Sequence, residues 1–281
     1  MTGEHPSQRV AITMCHDIDT ESAETPLSPE HFDALVREAA DLGFASMDYD
    51  RLEAWRLGRE QIPERAILFD FDHPVKSMRY GIHEVLARYG YTGTLFINTG
   101  PMDAANREQR EIYGDCMTWD EIGELMDAGW GVGTHTVNHP NLSELSVEDP
   151  EGGRPREELS ECDATIERHL GVRPRDFAFT GTSFSSMARD EVAARYRFGR
   201  LWITGAYYQV DGKRIRYADL VGVHGDDDPD GGPPHSARYI TRETAPYLLP
   251  SMEIQALIYE PEAFRQYLER ALERARREPA S

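Results

Sequence analysis

The sequence predicts an α/β fold built as a distorted (β/α) barrel. Three observations lead there. Short apolar runs of strand type alternate with segments of helical periodicity, the pattern of parallel strands joined by crossover helices. The residues able to carry chemistry, His16, Asp72, His73 and His135, each stand just after or at the end of such a run. That is where a β/α barrel places its active site. No internal repeat and no second core-forming pattern divides the 281 residues. One domain over 1–281 is therefore expected, with its core at about 9–260.

The elements follow in order. Arg9 to Cys15 is an apolar run ending at His16-Asp17-Ile18-Asp19. Ser28 before Pro29 is an N-cap signal, Phe32, Leu35 and Val36 continue at helical spacing, and Leu42-Gly43 closes that helix. Ile67 to Asp72 is a second strand, His83 to Tyr89 is helical, and Thr94 to Asn98 is a third strand. Trp119 to Ala128 reads as an amphipathic helix stopped by Gly129, and Trp130 to Thr134 as a fourth strand running into His135. Glu157 to Leu170 is a helix closed by Gly171, Phe177 to Phe179 a strand, and Pro261 to Arg277 a charged C-terminal helix. The stretch 224–235, flanked by His224 and His235, reads as a solvated acidic loop rather than a second metal site.

Bulk properties exclude several function classes. The formal net charge is -20, which opposes binding to nucleic acid or to anionic membranes. The basic residues are nearly all Arg, with Lys76 and Lys213 the only lysines. Cys15, Cys116 and Cys162 are odd in number and widely spaced, which argues against a disulfide framework and a thiolate metal site. A polar start with Pro6 lacks the apolar stretch of a signal peptide, and no run approaches a membrane span, so a cytoplasmic location is expected.

His135 and His139 lie at i and i+4. In a helical or turn-like segment both imidazoles project to one side and can share a metal. The flanks of this pair, Gly-Trp-Gly-Val-Gly-Thr-His135-Thr-Val-Asn-His139-Pro, resemble the second motif of the polysaccharide deacetylase family, the NodB homology domain of carbohydrate esterase family four. Ala66-Ile-Leu-Phe-Asp-Phe-Asp-His-Pro-Val-Lys-Ser resembles that family's first motif, with the Lys76-Ser77 end setting the register. Met14-Cys-His-Asp-Ile followed by Ser28-Pro-Glu resembles a subgroup with permuted motif order.

The resemblance implies a barrel of the deacetylase type and assigns roles. Asp72 falls on the general base, His73 on a metal ligand, and His16 on the general acid. His73, His135 and His139 would together hold one divalent metal ion, zinc by donor type. The oxyanion would meet the metal and a backbone N–H of Phe179 or Thr180. Four departures stand out: His73 replaces an Asp ligand, Pro74 a Gly and Asp70 a Thr. The third motif is reduced to Phe177-Ala-Phe-Thr-Gly-Thr-Ser-Phe without its Arg, although Arg173 and Arg175 lie just upstream.

The chemistry suits these residues. Replacing a carboxylate ligand by neutral imidazole leaves the site more positive, and metal-held water more acidic. A carboxylate beside that water can take its proton. An imidazole, titrating near about 6.5 in its ordinary state, can give one to a leaving amine. Asp70 shares a strand face with Asp72, where a buried carboxylate would support a histidine. Asp17 and Asp19 would orient His16 or cap the following turn, and Trp130 is placed to line the pocket or the core. The expected reaction is metal-assisted removal of an N-acyl group from an amino sugar or related carbohydrate. A small-molecule amidase or cyclic-amide hydrolase on the same fold is the alternative, and an inactive binding protein the second.

Overall fold

The computed structural model describes residues 8–18 and 27–273. Asp19 and the last part of the helix expected over 261–277 lie outside them. Seven parallel strands close into a barrel: β1 (Ala11–Cys15), β3 (Ala66–Asp72), β4 (Thr94–Ile97), β5 (Gly131–Thr134), β6 (Asp176–Ala178), β8 (Phe198–Ile203) and β11 (Leu249–Glu253). Their order around the barrel is β1-β11-β8-β6-β5-β4-β3. Pairing of Ala11 with Ile67 through Cys15 with Phe71 closes the ring. A two-residue strand, β2 (Ala45–Ser46), pairs with the start of β3. Outside the barrel, β7 (Ser183–Phe184), β9 (Tyr207–Val210) and β10 (Lys213–Arg216) form a small second sheet.

The strand pleat sorts side chains into two populations, because alternate residues point to opposite faces. Along β3, Ile67, Phe69 and Phe71 join the core under the helices, while Ala66 and Leu68 join a second cluster with Ile12, Phe96, Ala178, Phe198 and Leu249. These last fill the barrel. The inward column then changes character toward the C-terminal ends. Asp70 and Asp72 continue it on β3, Arg200 and Trp202 on β8, and Ser251 and Glu253 on β11. The barrel is thus packed with apolar groups low down and with charged and polar groups near the rim.

Helix signals in the sequence act as expected. Ser28 caps Pro29–Asp41 by accepting from the His31 N–H at 3.1 Å, and Thr118 and Glu121 form a reciprocal capping box on Trp119–Asp127. The long helix begins at Gly153 rather than Glu157 and ends at Leu170. The C-terminal helix is described over Pro261–Ala271, with Leu272 at its C-cap. In the stretch 224–235 the acidic residues are not merely solvated: Asp228 and Asp230 pair with the buried Arg238, and Asp227 with Arg216. No helix among the described residues is long and apolar enough to cross a membrane.

Candidate metal centre and catalytic site

Parallel closure brings the C-terminal strand ends to one rim, and the candidate residues gather there. His16 follows β1, Asp72 ends β3, His73 follows it, Asn98 follows β4 and His135 follows β5. His73, His135 and His139 offer ring nitrogens that all lie within 4.8 Å of one another. A small inward shift lets them share one cation with metal–nitrogen bonds of about 2.0–2.1 Å. The segment after β5 is not helical, so the i, i+4 argument is not what brings the pair together. Instead Thr136 (φ 68°) and His139 (φ 55°) both take the left-handed backbone region, folding the chain back on itself. His73 does the same with φ 66°. Such non-glycine conformations cost roughly 1–3 kcal/mol each and cluster at functional sites.

Local hydrogen bonds hold these conformations. His73 and His135 donate backbone N–H groups to Phe96 O and Ile97 O at 3.1 and 2.9 Å. The His139 amide donates to Thr136 Oγ1 at 3.0 Å. Glu158 accepts from the amides of Val137 and Asn138. Gly100 donates to Val137 O at 2.8 Å, and a Cβ there would stand 2.6 Å from that oxygen, so only glycine permits the approach.

The donor set fits a cation. The carbonyl of Ala178 can only accept, so His135 Nδ1, 2.9 Å away, carries the proton. Its Nε2 is then a bare lone pair, and it is buried with no hydrogen-bond partner among the described residues. His73 Nδ1 likewise donates to Asn98 Oδ1 at 3.0 Å, turning Nε2 inward. Burial, and then the neighbouring imidazoles, hold the pKa values of His73 and His135 well below the ordinary range, and burial with His16 brings His139 down to about 4. All three are neutral at neutral pH, the form that binds metal.

Asp72 Oδ2 stands 3.5 Å from His135 Nε2, and its other oxygen is held by the fully buried guanidinium of Arg200. On the opposite side His16 stacks against His73, with centroids 5.4 Å apart, and its Nδ1 lies 3.3 Å from Glu253 Oε2. Glu253 is buried and also accepts from Trp202 Nε1, while the His16 side chain keeps 30% exposure. Tyr113 closes another side, its ring centroid 4.3 Å from that of His73. Burial pushes its phenol up to about 12.

Several expectations need correction. Asp70 does not serve a histidine: it accepts from Tyr49 Oη at 2.8 Å and Ser251 Oγ at 3.4 Å, and lies 3.6 Å from Arg200 Nε. Burial drives its pKa up to about 7 despite Arg200. The carboxylate at His16 Nδ1 is Glu253, whereas Asp17 accepts from the Ile18 amide and the Ser77 hydroxyl. The Phe179 amide is committed to Arg200 O at 3.0 Å, which leaves the neighbouring Thr180 amide, whose hydroxyl is anchored on Pro140 O. Trp130 lies at the wrong end of β5 to line the pocket. It is buried against Phe71 and donates to His83 Nδ1 at 3.1 Å.

Residues 59–197 match the polysaccharide deacetylase family model. The chain belongs to the polysaccharide deacetylase family. A 74-residue segment is 32% identical to YlxY of Bacillus subtilis (strain 168), covering 26% of this chain and 22% of that protein. The fold is shared with the Streptococcus pyogenes deacetylase PplD in complex with acetate, at TM-score 0.68 and 16% identity over 94% of this chain and 99% of that one. IcaB from Ammonifex degensii superposes with TM-score 0.63 and 17% identity over 95% and 98% of the two chains. The BpsB deacetylase domain from Bordetella bronchiseptica gives 0.61 and 19% over 88% and 95%. At these identities the likeness is one of fold. In this deacetylase-family chain Asp72 does have an arginine partner. Arg200, one strand further on, holds Asp72, while Arg175 pairs with Asp50 and Glu53 on a helix at the opposite end.

Proposed function

We propose that this chain is a zinc-dependent hydrolase that removes an N-acetyl or similar acyl group from an amino sugar or related carbohydrate. Family membership supports hydrolysis at a carbon–nitrogen bond of the deacetylase type. The observation that carries the reading is the convergence of three neutral imidazoles whose free nitrogens face a carboxylate on one side and a fourth histidine on the other. His73, His135 and His139 would hold the cation, which when bound polarises the acyl carbonyl and makes water more acidic.

The protein's own groups do the rest. Asp72, oriented by its contact with Arg200, takes the proton as water adds to the acyl carbon. The Thr180 amide meets the oxygen on which charge develops. His16, positioned by Glu253 at 3.3 Å from its Nδ1, gives a proton to the nitrogen as the carbon–nitrogen bond breaks. The products are a carboxylic acid and a free amine.

The test combines metal analysis with acetate release from an N-acetylglucosamine oligosaccharide and, in parallel, ring opening of cyclic amides. The expected result is one zinc per chain and acetate release from the saccharide. Asp72→Asn should lower that rate by about 10²–10⁴ with zinc retained. Turnover of the cyclic amides alone would replace the carbohydrate reading by an amidase. An unchanged rate in Asp72→Asn would remove Asp72 from the mechanism.

A further inference from the structure

The helix Arg107–Tyr113 fully buries none of its residues, and of them only Tyr113 packs against the main hydrophobic core. It nevertheless lies against the metal centre. Tyr113 at its end stands 4.3 Å from the His73 ring and 6.3 Å from that of His139, ring centre to ring centre. Gln109 is one turn earlier, at i−4, on the same face. Its Oε1 is buried and has no hydrogen-bond partner among the described residues. A buried acceptor left unmatched is costly, and it becomes favourable when a ligand supplies the donor. The Tyr113 hydroxyl is likewise not hydrogen-bonded among the described residues. An aromatic ring beside a carboxamide is a surface suited to a polyol: the ring packs on the C–H face and the amide takes a hydroxyl.

We propose that Tyr113 and Gln109 form the recognition wall for the sugar ring that carries the reacting amide. Tyr113 packs against that ring, and Gln109 Oε1 accepts from one of its hydroxyls. The choice of a sugar rests on the deacetylase reading above. The two residues act in substrate binding and specificity, not in the proton transfers.

The test is calorimetric titration of the zinc-loaded full chain with a β-linked N-acetylglucosamine trisaccharide, and with acetate as a probe of the metal centre alone. Tyr113→Ala should weaken trisaccharide binding by about tenfold or more, and Gln109→Ala by about three- to tenfold, with acetate binding and zinc content unchanged. Tyr113→Phe should retain most of the affinity, because it keeps the ring. Trisaccharide affinity unchanged in both alanine variants overturns the proposal. So does a parallel loss of trisaccharide, acetate and zinc binding, which would make Tyr113 a prop for His73. Acetate release separates this inference from the reading beneath it. A chain that binds the trisaccharide through Tyr113 yet releases no acetate keeps the wall and loses the deacetylase. A chain that releases acetate with no dependence on Tyr113 or Gln109 does the reverse. Wild-type protein that binds no saccharide defeats both.

Discussion

Arg200 shows how one side chain is made to serve two carboxylates. Its guanidinium binds Asp72 directly and approaches Asp70 at 3.6 Å, all three groups being almost wholly shielded from solvent. Removing the cation would leave two buried acids facing each other. Arg200→Ala should therefore destabilise the chain by about 3–5 kcal/mol, the usual cost of breaking a buried pair from one side. Urea unfolding with an unaltered midpoint would contradict this. The signal for Arg200 was present in the sequence: an arginine inside the apolar run Phe198-Gly-Arg-Leu-Trp-Ile is an inward charge that needs a partner. Reading it required knowing that the run is a barrel strand adjacent to Phe177–Phe179. His16, Asp72, His73, His135 and His139 were easier, because each closes or follows a strand the sequence marks clearly. Asn98, Tyr113 and Glu253 carry no local mark; their importance comes from neighbours 25 or more positions away in the chain.

At the scale of elements, the loop after β5 shows why spacing alone was a poor guide. Two residues in the left-handed region, not a helical turn, bring ring nitrogens of His135 and His139 within 4.8 Å of each other. The Thr136 hydroxyl accepts from the His139 amide and so holds that bend. Thr136→Val keeps the shape but removes the acceptor, and zinc affinity should fall about 10- to 100-fold, the range for lost support of a ligand. Competition with a chromophoric chelator measures it, and equal affinity would mean that the bend needs no such support. The strands with clean apolar runs were legible. Leu249–Glu253 was not, because Pro250, Ser251 and Glu253 interrupt its apolar pattern. Those residues are polar or irregular because the strand delivers Ser251 to Asp70 and Glu253 to His16.

For the whole molecule, the three depressed histidines couple folding to acidity. His139 has a folded pKa of about 4 against an ordinary 6.5, so between these values the unfolded chain binds more protons. Its contribution is fully present above 6.5 and is lost as pH falls through that window toward 4. Asp70, raised to about 7, runs the other way: its contribution is full below 3.8 and is lost as pH rises through 7. Comparing metal-free wild type with His139→Asn cancels the second effect, and Asn tolerates the left-handed backbone. The wild-type melting temperature should fall more steeply on acidification from pH 7 to pH 4 than that of the variant. Parallel curves would show that His139 is not the group responsible.

The change from apolar to charged filling along the barrel sets stability against chemistry. Leu, Ile and Phe serve the lower barrel well, and a similar trio in place of Asp70, Asp72 and Arg200 would pack as well as or better than buried ions do. A tougher barrel therefore lies three substitutions away, and on the proposed mechanism it would be inert. On the proposed mechanism the charged trio exchanges robustness for chemistry, the usual trade at a working site.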